Sequence, residues 1–399
     1  MMRERQSRMK FSPASFLCLL LIAVLIPVWS ACAGLPEDFS GIDAQVDSYF
    51  RKSKTIGGSL VIAKGGQIVY QRDYGYSSIS QKTPVTEDTY FRIASITKMV
   101  SAIGIMQLAE QGVLNLDQDI SNYFGYEIIN PYHPKTPITL RQCMSHTTSL
   151  SQNGGYSFQS RTIHDMLAKE LRRQSNFTKE KPGEHYSYSN FGAGLMGSIL
   201  ESAAGVSVNQ YMREHVFAPL EIDAAYSAGF LAKPEHIASQ YNNGTLYKSA
   251  SKLLSEPYED YADPERHYRI TVGNVFIRSC DLVKLASLLC GDGSYGDVRL
   301  LKEESVEWMR MDQRSLKASV TGESPYGLCV NRVDNLLKGR MFYGHQGMSG
   351  GAMCNVYFDP ETQFVFVMLT NGCSQVRQDW IGVLPRRLFT YTYSLFGQE

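Results

Sequence analysis

Strand signals stand at the two ends of this 399-residue chain, and mainly helical or irregular sequence lies between them. Near the start, Gly58-Ser-Leu-Val-Ile-Ala63 reads as a strand, Lys64-Gly65-Gly66-Gln67 as a turn and Ile68-Val-Tyr70 as the beginning of the return strand. Toward the end, Ala352–Phe358 and Phe364–Leu369 flank the turn Asp359-Pro360-Glu361-Thr362. Strands at both ends predict one sheet assembled from distant segments, about residues 36–90 and 325–399, with a mainly helical part inserted at about 91–324. Residues 36–399 then form a single domain, and a ligand cleft belongs at the junction of its two parts.

Helical periodicity supports this plan. Ile42, Val46, Tyr49 and Phe50 recur at helical spacing. Met99, Ile103 and Met106 give a second helix its apolar stripe, and Gly112 is a stop signal. Asn190–Ala204 reads as a helix despite Gly192, Gly194 and Gly197, which lower helix propensity and are rationalised only by close packing against another element. Residues 381–396 read as a closing helix.

With 43% hydrophobic and 20% charged residues, the chain can bury a substantial core. Its 39 basic and 39 acidic residues cancel, which argues against nucleic acid as a partner. The first 33 residues predict a secretory leader. Arg3, Arg5, Arg8 and Lys10 precede an apolar run from Phe16 to Trp29, and Ala31-Cys32-Ala33 fits a cleavage site. Free secretion, lipoprotein attachment at Cys32 and an uncleaved membrane anchor are the three fates considered. Trp29 departs from the aliphatic residue usual in a lipoprotein box. All three put the protein outside the cytoplasm. Beyond the leader, Cys143, Cys280, Cys290, Cys329, Cys354 and Cys373 are scattered, mostly through apolar runs, and read as buried free thiols.

Ser95-Ile-Thr-Lys98 places a hydroxyl and an amine one helical turn apart, on one face. Serine becomes a useful nucleophile when a neighbouring base takes its proton. The same spacing at Ser7/Lys10 and Ser249/Lys252 lacks supporting context. Around Ser95, three further segments supply that context: Gln142-Cys-Met-Ser-His-Thr-Thr-Ser-Leu150, Lys181-Pro-Gly-Glu-His-Tyr-Ser-Tyr-Ser-Asn190 and Tyr343-Gly-His-Gln-Gly347. Together, and in this order, they resemble the motifs of the class C β-lactamase-related serine hydrolases, which include penicillin-binding proteins, D-peptidases and family VIII esterases.

The resemblance implies an α/β fold of the α+β kind, β-lactamase-like, with a five-stranded antiparallel sheet flanked by helices. It implies Ser95 as the acylated nucleophile, Lys98 as the group assisting its deprotonation, and Tyr188 as a phenolic acid/base. Asn190 would orient substrate and Lys98. His345, Gln346 and Gly347 would form the substrate-binding strand. The N–H groups of Ser95 and Met348 would form the oxyanion hole. It implies no metal or organic cofactor and a small-molecule or peptide substrate: a cell-wall peptide, β-lactam, ester or amide. The rival expectation is an acylable or inert sensor of cell-wall fragments.

Other matches read as structural. Tyr241-Asn242-Asn243 is a polar turn, Ser151-Gln152-Asn153 a loop beside the cleft, and His146 a hydrogen-bonding residue. Asn176 and Asn243 fit short glycosylation patterns. Tyr188 poses a physical problem. A phenolate at pH 7 needs its pKa lowered by about 3, roughly 4 kcal/mol, and one close cation lowers it by about 1 to 3. His345, about one-quarter protonated at pH 7 if its pKa is near 6.5, would be the second cation. Two schemes stay open: a Tyr188 phenolate beside charged Lys98, or neutral Lys98 taking the proton while Tyr188 relays it. Gln346 stands where many β-lactamases and D-Ala-D-Ala peptidases have Thr or Ser, so the carboxylate contact is expected to differ.

Overall fold

The two ends of the chain do meet in one sheet. The structure, a computed structural model, describes residues 38–151, 161–168, 174–313 and 326–398. Its main sheet comprises β1 (Gly57–Lys64), β2 (Gln67–Ser78), β3 (Thr83–Pro84), β4 (Asn331–Val333), β5 (Phe342–Ser349), β6 (Ala352–Asp359) and β7 (Phe364–Thr370). Their spatial order is β4-β5-β6-β7-β1-β2-β3, antiparallel throughout. The sheet therefore has seven strands rather than the expected five. The two additions are edge strands of two and three residues, too short to leave a periodic pattern. Closure depends on β1 pairing with β7, Gly58 opposite Thr370.

Every residue of β6 and β7 is buried, because helices cover both faces. Alternation along the strands assigns the faces. Val356, Phe358, Val365, Val367 and Leu369 join the large core of the helical part. Tyr357, Phe364 and Phe366 turn the other way, onto Phe389 of the closing helix.

The site is carried by helices of the helical part. The helices include α1 (Ser40–Lys52), α2 (Ile96–Glu110), α3 (Leu140–Ser145), α4 (Asn190–Ala204), α5 (Ile270–Gly273), α6 (Ser279–Cys290) and α7 (Val383–Phe396), of which α2 to α6 lie in the helical part and α1 and α7 pack on the sheet part. Helix α2 is buried nearly all round. The glycines of α4 have the packing reason the sequence required. A Cβ on Gly194 would lie 1.8 Å from the Tyr268 carbonyl oxygen, and one on Gly197 would lie 2.8 Å from Thr271. The six cysteines named above are free thiols, and all but Cys280 are buried. The leader at 1–33 lies outside the described residues.

Candidate active site

Ser95 sits at the N-cap of α2, immediately after Ala94, whose φ of +48° is unusual for a residue with a Cβ. Such backbone strain is held by surrounding structure and clusters at functional sites. The following segment is tied to this turn from several sides. Ile93 N–H donates to Val275 C=O at 3.0 Å, and Val275 N–H donates to the Thr97 hydroxyl at 3.2 Å. Arg92 adds bonds to the Gly273 carbonyl at 3.0 Å and Asn274 Oδ1 at 2.6 Å.

Lys98 lies one turn into α2, fully buried. Its Nζ is 3.1 Å from Ser95 Oγ and donates to the Val272 carbonyl at 2.9 Å. Burial pulls its pKa down to about 7, opposed only weakly by nearby Cys329. The Nζ also lies 5.2 Å from the centroid of the Tyr188 ring. Tyr188 precedes α4. Ser189 caps that helix through its hydroxyl, which accepts the Gly192 N–H at 3.1 Å, and Asn190 is its first residue.

Strand β5 closes the other side. A Cβ on Gly347 would lie 2.1 Å from the Ile93 carbonyl oxygen and 3.2 Å from the Ser95 nitrogen, so only glycine lets the strand approach the Ser95 amide. Gly347 is opposite Cys354 in the sheet, and Met348 opposite Met353. A cleft of about 760 Å³ opens here, with Ser95, Asn190, Met348, Ser349, Arg92 and Arg269 in its wall. Of the residues named from the sequence, Ser95, Asn190 and Met348 line this cleft, whereas Lys98, Tyr188, His345, Gln346 and Gly347 are not among its lining residues.

His345 differs most from expectation. Its ring is buried, with Nδ1–H donating to the Gln346 carbonyl at 2.6 Å and Nε2 accepting the Tyr326 hydroxyl at 2.9 Å. Burial, reinforced by the positive field of Lys98, pushes its pKa down to about 3. The imidazole is neutral at pH 7 and supplies no second cation.

The structural readings of the other matches fit their surroundings. Tyr241 is buried, and its hydroxyl accepts the Ile79 N–H at 2.8 Å. Ser249 caps a short helix by accepting the Lys252 N–H at 3.1 Å. Gln152 and Asn153 lie outside the described residues. Asn176 is fully buried and donates to the Met166 carbonyl, which leaves no room for a glycan. Two contributors carry no signal in the sequence. Val272 acts through a backbone carbonyl, which no side-chain pattern announces. Tyr326 is one tyrosine among 24.

Comparison with known proteins bears on the family and the fold. The β-lactamase family model matches residues 42–380. The chain is 27% identical over 207 residues to penicillin-binding protein 4* of Bacillus subtilis (strain 168), covering 51% of this chain and 44% of that protein. It spans less than half the length of the first curated relatives it matches. Two solved structures share its fold. An octameric penicillin-binding protein homologue from Pyrococcus abyssi superimposes with a TM-score of 0.68 at 22% identity, over 91% of this chain and 78% of that one. D-amino acid amidase from Ochrobactrum anthropi SV3 gives 0.66 at 20% identity, over 88% and 97%.

Proposed function

Because the chain belongs to the β-lactamase family, we propose that it is a serine hydrolase that cleaves an ester, amide or lactam carbonyl through an acyl-enzyme. The observation that carries this is the buried Lys98 amine 3.1 Å from Ser95 Oγ. Its pKa is brought to about 7, and no acidic side chain among the described residues is hydrogen-bonded to it. An amine in that state accepts a proton near neutral pH, where an ordinary lysine is locked as ammonium.

Neutral His345 favours one of the two protonation schemes. A Tyr188 phenolate would need its pKa lowered by about 3, at the upper limit of what one cation supplies, and Lys98 would have to be that cation against its own desolvation. Lys98 as base with Tyr188 relaying the proton needs neither. Ser95 Oγ gives its proton to Lys98 Nζ and forms a bond to the carbonyl carbon. The N–H groups of Ser95 and Met348 hold the oxyanion, each such donor being worth roughly 3 to 4 kcal/mol. The proton passes from Lys98 through Tyr188 to the leaving group as its bond to carbon breaks. Water then bonds to the acyl carbon and gives a proton through Tyr188 to Lys98; as the Ser95 ester bond breaks, Lys98 returns that proton to Ser95 Oγ and is neutral again. Asn190 borders the substrate.

Likeness to a penicillin-binding protein and to the fold of a D-amino acid amidase supports peptides, β-lactams and D-amino acid amides as candidate substrates. Gln346, standing where many relatives carry Thr or Ser, supports a carboxylate contact unlike theirs. An extracytoplasmic location rests on the leader pattern in residues 1–33.

Turnover of a p-nitrophenyl ester, a chromogenic cephalosporin and a D-amino acid amide, alongside labelling by a fluorophosphonate probe, tests the proposal. Continuous release by the wild type and loss of both release and labelling in Ser95→Ala are expected. One equivalent of acylation without turnover would instead support a sensor. Equal labelling of Ser95→Ala would remove Ser95 from the chemistry.

A further inference from the structure

We propose that His146 is a positioning residue that fixes Tyr188 over Lys98, acting through hydrogen bonds and stacking rather than as an acid or base. This rests on the role given to Tyr188 above. His146 ends α3 at a φ of +58°. Its carbonyl accepts the Ser187 N–H at 2.9 Å, and its Nδ1 accepts the Ser189 N–H at 3.2 Å. The residues immediately before and after Tyr188 are thus both bonded to one side chain and its own carbonyl. The imidazole also lies against the Tyr188 ring, with centroids 4.2 Å apart and planes inclined at 38°. Tyr188 itself is 37% exposed, so its ring needs such a wall to hold one rotamer.

The choice of histidine carries the inference further than packing does. With Nδ1 accepting, the proton must sit on Nε2. That Nε2–H is buried and has no hydrogen-bond partner among the described residues. A phenylalanine would fill a similar volume without burying a donor. What histidine adds is the acceptor for Ser189. The imidazole also stays neutral, which the acceptor role requires: burial and the charge of Lys98 hold its pKa well below the ordinary range. The groups around it are Tyr186, Tyr188, Tyr326, His345 and Lys98, with no carboxylate among them to favour the imidazolium.

Double-mutant kinetics with a p-nitrophenyl ester test the assignment. His146→Phe keeps a ring and removes the acceptor, and is expected to lower kcat about tenfold or more with KM within about threefold. His146→Asn puts Oδ1 near the place of Nδ1 and tolerates the left-handed backbone, so it should lose only about threefold. In a Tyr188→Phe background, both substitutions should change kcat by less than about twofold, because their effect runs through the phenol. Equal losses in both backgrounds, or no loss in the first, overturn the positioning role. If His146→Phe does not fold, the His146→Asn comparison decides alone by the same criterion. Tyr188→Phe with wild-type kcat would sink the role of Tyr188 itself, and the proposal with it. A large Tyr188→Phe loss with additive His146 effects sinks only the proposal.

Discussion

Lys98 is the only lysine or arginine among the described residues that is fully buried, and it lies beside a serine and a tyrosine with no acid to neutralise it. In the proposed mechanism its desolvation makes a base of it. A base works in its deprotonated form, so kcat/KM is expected to rise with pH through about 7. Lys98→Met should lower kcat/KM about 10²- to 10⁴-fold. His345 leads to an opposite prediction. Its ring is neutral throughout that range, so His345→Leu should leave the acid limb in place. It should cost about 1 to 3 kcal/mol of stability, because the buried Tyr326 hydroxyl loses its acceptor. pH-rate profiles and thermal melts separate the two effects. Linkage has a definite sign here. His345 has a folded pKa below its unfolded value, so its contribution to stability is present above about 6.5 and declines as pH falls toward about 3. The serine and amine were legible because three residues of spacing on a helix admit few geometries. The neutrality of His345 was not, because burial at a strand position depends on what the rest of the chain lays over it.

Helices and strands reach the site through a few close approaches that only glycine permits. Gly347 lets β5 lie against the amide of Ser95. Gly347→Ala should therefore reduce kcat at least about 100-fold, since a displacement of roughly 1 Å at the proposed oxyanion donors is enough for that. Gly194 does the same for α4 against the backbone of Tyr268. Gly194→Ala should destabilise by about 1 to 3 kcal/mol or more through overpacking, read as a lowered denaturation midpoint. Helix α4 was readable to its ends, Asn190 and Ala204, because a capping serine precedes it and Gly205 follows in the left-handed region. The edge strands β3 and β4 were not, since two or three residues carry no alternation. The brace from Arg92, Thr97 and Lys98 to residues 272–275 was equally silent, because most of its acceptors and donors belong to the backbone.

The main sheet is closed by segments about 300 residues apart, β1 against β7, a long-range pairing of the kind that slows folding. Both faces of the sheet need their helices. Phe389 alone meets Phe342, Tyr357, Phe364 and Phe366. Phe389→Ala should cost about 3 to 5 kcal/mol. The folded fraction should retain wild-type kcat, since α7 lies on the face away from the core that carries Ser95. A calorimetric scan paired with active-site titration checks both halves. That two-ended plan was visible in the sequence from hydrophobic runs alone. Two-sided burial also explains why β6 and β7 read as continuous apolar stretches rather than alternating ones.

The rate at which a fluorophosphonate modifies Ser95, followed by intact mass across pH and located by peptide mass, tests the central claim most directly. A neutral Lys98 base predicts a rate that climbs through a single titration near 7 and loses that dependence in Lys98→Met. An unchanged pH profile in Lys98→Met, or modification at a residue other than Ser95, would contradict it.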